Sequence, residues 1–357
     1  MHHEDEEESL NKLPAVDLQF INAATADLWE QLRGQRLFIT GGTGFFGCWL
    51  LESFCAANRA FSLNARATVL TRNPEAFKKK APHLAGDTAI ELVAGDVRTF
   101  DFPAGEFAFV VHAATQSNSA EFHGTDLEMF DTIVDGTRRT LQFARHRGAR
   151  KFLLLSSGAV YGEQPTEIAH IEESYRGAPK LTGPAAPYAE GKRAAELLCE
   201  FHARESGVEC KIARCFAFVG PHLPLDAHFA IGNFIANALR REAIQIKGDG
   251  TPLRSYLYMA DTMVWLWTIL FRGPSLRAYN VGSENAVSIA ALARTVADTL
   301  APGLELTIAR KPAPGALAPR YVPSTRAARH ELGLTENVTL REAILRTADW
   351  YKPVVHR

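Results

Sequence analysis

Although 46% of the 357 residues are hydrophobic, no apolar run approaches the ~18 residues that would suggest a membrane span. Charge of one sign is also missing. The 39 basic and 40 acidic residues nearly cancel, leaving −1, which excludes a general electrostatic attraction to nucleic acid or anionic lipid. Any phosphate must therefore be bound locally. Cysteine is sparse: Cys48, Cys55, Cys199, Cys210 and Cys215 are odd in number, scattered and without metal-ligand spacing. That excludes a disulfide framework and a zinc ribbon, and fits reduced thiols. The acidic start, Glu4-Asp5-Glu6-Glu7-Glu8, is opposite in charge to a secretory leader. A cytoplasmic protein with neither membrane nor nucleic-acid partner is the expectation.

What is present is chemistry at two places about 150 residues apart. Arg36 to Thr40 reads as a short apolar strand, Phe46 to Phe54 as the start of a helix, and Gly41-Gly42-Thr43-Gly44-Phe45-Phe46-Gly47 joins them. At such a junction Gly41 allows the tight turn, Gly44 admits a pyrophosphate to the backbone, and Gly47 lets the helix pack closely. The helix N-terminus then offers N–H groups to phosphates. Downstream, Tyr188 and Lys192 in Tyr188-Ala189-Glu190-Gly191-Lys192 lie four apart, so a helix presents both on one face. A phenol with an ordinary pKa of ~10 is a poor base. A neighbouring ammonium and an oxidised nicotinamide are expected to lower that value, making Tyr188 a proton-transfer group.

The second strand, Ala67-Thr68-Val69-Leu70, ends in Thr71-Arg72-Asn73 with no acid to bind a ribose 2′-hydroxyl. Arg72 suits a 2′-phosphate instead, which tilts the reading to NADP(H), with NAD(H) as the alternative; the plain alternative for Arg72 is a solvent-exposed side chain. Strands alternating with helices predict an α/β fold. The expected organisation is an N-terminal extension over 1–35 with a helix from Leu18 to Leu32, a dinucleotide domain over 36–215 with a return near 255–285, and a second lobe over 216–254 and 286–357. Softer breaks fall at Gly177 to Pro187 and at Lys311 to Pro323, which holds four prolines.

The Gly-x-x-Gly-x-x-Gly spacing together with the Tyr-x-x-x-Lys pair resembles the extended short-chain dehydrogenase/reductases, from about Arg36 to the C-terminus. The resemblance implies a Rossmann-type doubly wound parallel sheet with a smaller C-terminal substrate-binding lobe. It implies a cofactor site of Gly41, Thr43, Gly44, Phe45, Phe46 and Gly47, with Arg72, Asp96, Val97, Ala113, Ala114, Tyr188 and Lys192. Asp96, in Gly95-Asp96-Val97, would reach the adenine, although a turn residue is an equal reading. Aligned on Val160-Tyr161-Gly162, the third catalytic residue falls on Ser157, with Ser156 the neighbour to be confused with it. Sugar 4,6-dehydratases of the family carry Asp-Glu next. Here Gly158 and Ala159 stand there, and neither transfers a proton, which disfavours dehydration.

By the same resemblance Arg254, in Gly248-Asp249-Gly250-Thr251-Pro252-Leu253-Arg254, grips a nucleotide diphosphate, with Asn233 and Arg320 as further phosphate groups and Ser117 near sugar hydroxyls. Asp261 reads as structural. Two departures stand out: Ala217 and Ile133 each occupy a place where the family carries Asn. The implied activity is hydride transfer at a carbon of a nucleotide diphospho-sugar, as a 4-ketoreductase or 4-epimerase. Dehydratase is the runner-up, and a non-catalytic NAD(P)-binding scaffold is the reading from another class. A homodimer pairing helices near Asp126 to Arg147 and Tyr188 to Ser206 is implied by resemblance alone.

Overall fold

The computed structural model describes residues 12–115, 124–227 and 229–355; Ser117 lies outside them. Seven strands form the main sheet: β1 (Arg36–Thr40), β2 (Arg66–Thr71), β3 (Ile90–Ala94), β4 (Phe109–His112), β5 (Lys151–Ser157), β6 (Glu209–Cys215) and β7 (Ala278–Val281). Their order is β7-β6-β5-β4-β1-β2-β3, and every pairing is parallel. The order reverses at β1, between β2 and β4. In open sheets of this kind, ligands bind beyond the carboxyl ends of the strands at that reversal.

The helices that bear on the site and core include α1 (Ala15–Ala24), α2 (Phe45–Ala60), α3 (Asp126–His146), α4 (Ala186–Ser206), α5 (Ala230–Arg240), α6 (Met259–Arg272) and α7 (Leu340–Val355). Side chains alternate across a strand, and β1 divides accordingly. Leu37 and Ile39 join the core containing residues of α1, α2 and α6, while Phe38 faces the core of α3 and α4, its ring 4.2 Å from that of Phe143. Burial on both faces accounts for the nearly unbroken apolar composition of these strands. Helices α3 and α4 approach closely through a glycine: a Cβ on Gly191 would lie 3.1 Å from Ile133 Cδ1. Ile133, one of the two departures from the family pattern, is thus core packing between helices.

The N-terminal helix differs from the expectation of a single span from Leu18 to Leu32. It stops at Ala24 and resumes as a short 3-10 turn at Trp29–Leu32. Thr25 terminates it: its hydroxyl donates to Ile21 O at 2.6 Å and accepts from Trp29 Nε1 at 2.9 Å, a local side-chain bond that competes with helix continuation. Helix α1 packs on this chain's own core, where buried Asp17 accepts from Tyr258 Oη at 2.6 Å and pairs with Arg346 of α7. Buried Asp261 likewise accepts from the backbone N–H groups of Asn337 and Val338, each at 3.0 Å.

A three-stranded patch lies apart from the main sheet. Leu253–Arg254 lies between Val287–Ser288, antiparallel, and Arg320–Tyr321, parallel, which sets Tyr321 beside Arg254. No helix among the described residues is long and apolar enough to cross a membrane.

Candidate active site

A cleft of about 1410 Å³ runs across the carboxyl ends of the strands. Its floor is the glycine turn. Gly41 has φ +72°, and a Cβ there would stand 2.5 Å from the carbonyl carbon of Ala113, so the turn lies directly against the end of β4. A Cβ on Gly47 would meet the Gly42 carbonyl carbon at 2.2 Å, which ties the first turn of α2 to the loop. Gly44 is different. A Cβ there would have only the Gly41 carbonyl oxygen near it, at 3.6 Å, so packing does not require glycine. The residue lines the cleft, and its missing side chain leaves room beside a helix N-terminus whose first N–H groups have no intrahelical partner. Thr43, Phe45 and Phe46 line the same stretch. This bare floor, together with the volume of the cleft, fits a dinucleotide.

At one end of the cleft charges are exposed and paired. Asp96 does not stand open to a base: its carboxylate takes a bidentate bond from Arg98, 2.9 Å from Nε and 3.0 Å from Nη2. The Arg98 guanidinium holds that carboxyl below its ordinary value. Arg72 and Lys80 line this end too, and Lys80 Nζ donates to Thr43 O at 2.8 Å. Val97 packs under α3, 2.9 Å from where a Gly136 Cβ would sit.

The other end is more enclosed. Lys192 is 4% exposed, and its ammonium donates to Thr115 Oγ1 at 2.8 Å and to Leu155 O at 2.7 Å. Burial lowers its pKa to about 8. Tyr188 lies beside it, with Lys192 Nζ 5.9 Å from the ring centroid. The expectation that this lysine lowers the phenol's pKa does not hold in the protein alone. Burial pushes Tyr188 up to about 12, with Ser157 opposing, because the ammonium is directed to Thr115 and Leu155.

The two serines, which both line the cleft, differ in hydrogen bonding. Ser156 donates to Glu196 Oε1 at 2.5 Å, and Glu196 is held by Arg214 at 2.7 Å, a half-buried pair. Ser157 Oγ accepts from Ala159 N at 3.1 Å and lines the cleft together with Tyr188. Glu163, which follows in sequence, pairs with Lys180 at 2.7 Å on the surface, 81% exposed.

Of the phosphate-binding candidates, Arg254 lines the cleft, along with Ala113, Ala114 and Ala217, whereas Asn233 and Arg320 do not. Arg320 instead bridges to Gln164, and its neighbour Tyr321 takes the cleft side. Adjacent strand residues face opposite ways, and the sequence alone does not fix which of the two points inward. Thr115, Phe216, His222 and Tyr256 also line the cleft and were not anticipated. Only Thr115 carried a signal, standing just past the Ala113-Ala114 strand end. The void beside Gly158 is filled: a Cβ there would lie 2.7 Å from Phe216 Cζ and 2.8 Å from Tyr321 Oη. A carboxylate side chain has no place at that position.

Residues 37–282 match the family model described as the NAD-dependent epimerase/dehydratase family. The chain is 30% identical over 311 residues to UDP-glucuronic acid decarboxylase 6 of Arabidopsis thaliana, covering 87% of this chain and 86% of that protein. Against UDP-glucuronic acid decarboxylase 1 of Xenopus tropicalis it is 28% identical over 318 residues, 89% and 72% of the two chains. In structure it resembles UDP-glucose 4-epimerase of Thermotoga maritima, solved with UDP-glucose, at a TM-score of 0.75 and 20% identity over 90% of this chain and 99% of that one. The UDP-glucuronic acid 4-epimerase of Bacillus cereus, solved with UDP-glucuronic acid and NAD, gives a TM-score of 0.74 at 19% identity over 89% and 99%.

Proposed function

The chain belongs to the NAD-dependent epimerase/dehydratase family, and from that premise we propose that it transfers hydride at a sugar carbon of a nucleotide diphospho-sugar, as a 4-ketoreductase or 4-epimerase. The observation that carries this is that Ser157, Tyr188 and Lys192 line one cleft with the glycine turn. When bound, the oxidised nicotinamide supplies a hydride-accepting carbon and a positive charge that favours the phenolate. The protein's own groups handle the proton. Tyr188 is the group that exchanges it with the sugar oxygen, and Ser157 holds that oxygen close by donating to it. Lys192, fixed by Thr115 and the Leu155 carbonyl, keeps a cation beside the phenol. Arg254 offers a fork to the diphosphate. Dehydration is disfavoured, since Gly158 has no room for an acid and Ala159 carries only a methyl group.

The nicotinamide nucleotide is proposed to be NADP(H), because Arg72 lines the cleft just past the end of β2, where Thr71-Arg72-Asn73 holds no acid, and a guanidinium there suits a 2′-phosphate. Denaturing the purified protein, identifying any released nucleotide and titrating the empty form with NADPH and NADH tests this. An empty protein preferring NADPH by about tenfold supports the ketoreductase. Tightly held NAD(H) removes the Arg72 argument and favours the epimerase. A second reading rests on the decarboxylase relatives: oxidation at C4 of a UDP-hexuronic acid yields a β-keto acid, which loses carbon dioxide without a proton-abstracting carboxylate. Release of carbon dioxide from UDP-glucuronic acid distinguishes it. The homodimer is proposed from Leu127, Leu197 and Phe201, which stay 48–66% exposed on α3 and α4, and sedimentation tests it.

A further inference from the structure

His112, the last residue of β4, has no part in the reading above, yet it is buried with both ring nitrogens engaged. It faces α3, because side chains alternate along the strand and Val110 belongs to the core of α3 and α4. Its Nε2 lies 3.0 Å from Thr137 Oγ1 and its Nδ1 2.7 Å from Thr40 Oγ1. The direction of these bonds follows from their neighbours. Thr137 donates its one hydroxyl hydrogen to Ile133 O at 2.7 Å, so it accepts from His112, and Nε2 carries the ring proton. Burial, with the Lys192 charge adding to it, lowers His112 to about 3. The ring is therefore neutral, and Nδ1 accepts from the Thr40 hydroxyl.

From Thr40 the bonds run on to the proton-transfer pair. Thr40 Oγ1 accepts from Ala114 N at 3.2 Å, and the Ala114 carbonyl accepts from Thr115 Oγ1 at 2.7 Å. With its hydrogen so placed, Thr115 Oγ1 accepts from Lys192 Nζ at 2.8 Å, one of the two bonds that hold the ammonium, the other being to Leu155 O. We propose that His112 is a positioning residue: held as the Nε2–H tautomer between α3 and β1, it fixes the strand end that carries Thr115 and so sets where Lys192 holds its charge beside Tyr188. An apolar ring would fill the same space without the cost of burying two polar nitrogens. The imidazole differs from it by donating on one side and accepting on the other. Thr40 also precedes Gly41, whose missing Cβ lets the turn lie against Ala113 and Ala114, so the same bonds tie the lysine to the cleft floor.

The kinetic consequence rests on the hydride-transfer reading, whereas the tautomer does not. NMR of selectively ¹⁵N-histidine-labelled protein, with His112→Gln to assign the signal, is expected to show a neutral Nε2–H ring that does not titrate between about pH 5 and pH 8. An Nδ1–H ring, or protonation within that range, overturns the positioning role. Rapid mixing with NAD⁺ or NADP⁺ and with UDP-glucose, UDP-glucuronic acid or dTDP-glucose then follows reduced nicotinamide in a double-mutant cycle of His112→Leu and Thr115→Val. Expected are a rate lower by roughly tenfold in each, no further loss when the two are combined, and nucleotide-sugar affinity within about twofold. His112→Gln, whose amide also offers an acceptor and a donor, should recover most of the rate. Losses that multiply, a rate unchanged in His112→Leu, or a glutamine variant no better than leucine overturns the proposal. Should His112→Leu not fold, Thr40→Val cuts the chain one bond nearer the lysine and takes its place in the cycle. If wild type reduces neither cofactor with any of these sugars, the hydride-transfer reading itself fails and the positioning role with it, whatever the tautomer.

Discussion

The two ends of the cleft are made in opposite ways. At the Arg72 end the charges are exposed and neutralise one another: Asp96 and Arg98 form a fork-to-fork pair with side chains 33% and 39% exposed. At the Tyr188 end Lys192 and Ser157 are buried and Tyr188 is half-buried, and loss of water shifts the ionisation of the lysine and the tyrosine. Lysine falls to about 8 and tyrosine rises to about 12. An exposed pair is worth little and is screened by salt. Removal from water shifts the proton affinity of a buried group, which is what the proposed proton-transfer step requires. On the proposed reading, nucleotide recognition and chemistry lie at different ends of a single cleft.

The strongest way to break this contrast is Tyr188→Phe. Turnover should fall by about 10³-fold while nicotinamide nucleotide still binds. Equal loss of binding in a calorimetric titration would mean that the phenol holds ligand and moves no proton. Lys192→Met removes the cation but not the phenol, and a loss of about 10²-fold is expected in steady-state rates. Gly47→Ala tests the floor shared by both ends. Its methyl group would meet the Gly42 backbone at 2.2 Å, and overpacking against backbone should cost about 2–3 kcal/mol in urea unfolding. Arg72→Ala is the mildest change: affinity for NADPH should drop roughly tenfold with NADH unaffected, and the difference should shrink in high salt.

Burial also has a signature in stability against pH. Between about 8 and the ordinary 10.5, unfolded Lys192 keeps a proton that the folded protein has released. Stability contributed by this site therefore rises with pH across that window. Tyr188 acts in reverse between 10 and about 12, where the folded protein keeps a proton that the unfolded chain has lost, so its contribution falls. Unfolding of wild type against Lys192→Met, measured from pH 7 to 10, should show wild type gaining on the variant as pH rises. A constant gap would mean that Lys192 titrates near its ordinary value.

How much of this was legible in the sequence depends on how local each feature is. The glycine turn and the Tyr188–Lys192 pair need only a strand-to-helix junction and a helical spacing of four, and both are legible in short segments. Ser157 is distinguished from Ser156 only once Glu196, forty residues on, takes the Ser156 hydroxyl. Arg320 is named by resemblance, and that Tyr321 lines the cleft while Arg320 does not depends on strand phase, which a non-local pairing with Leu253–Arg254 sets. Thr25 broke the N-terminal helix through a hydrogen bond with Trp29, a competition that apolar spacing does not register. The upward push of burial on Tyr188 in the protein alone is not legible for a similar reason, since burial depends on the whole fold.

The most direct test of the central claim is the appearance of reduced nicotinamide when wild type and Tyr188→Phe, each saturated with NAD⁺ or NADP⁺, are mixed with UDP-glucose, UDP-glucuronic acid or dTDP-glucose. The account predicts a signal in wild type with at least one sugar and its loss in a variant that still binds cofactor. A Tyr188→Phe protein that reduces its cofactor as fast as wild type would contradict it.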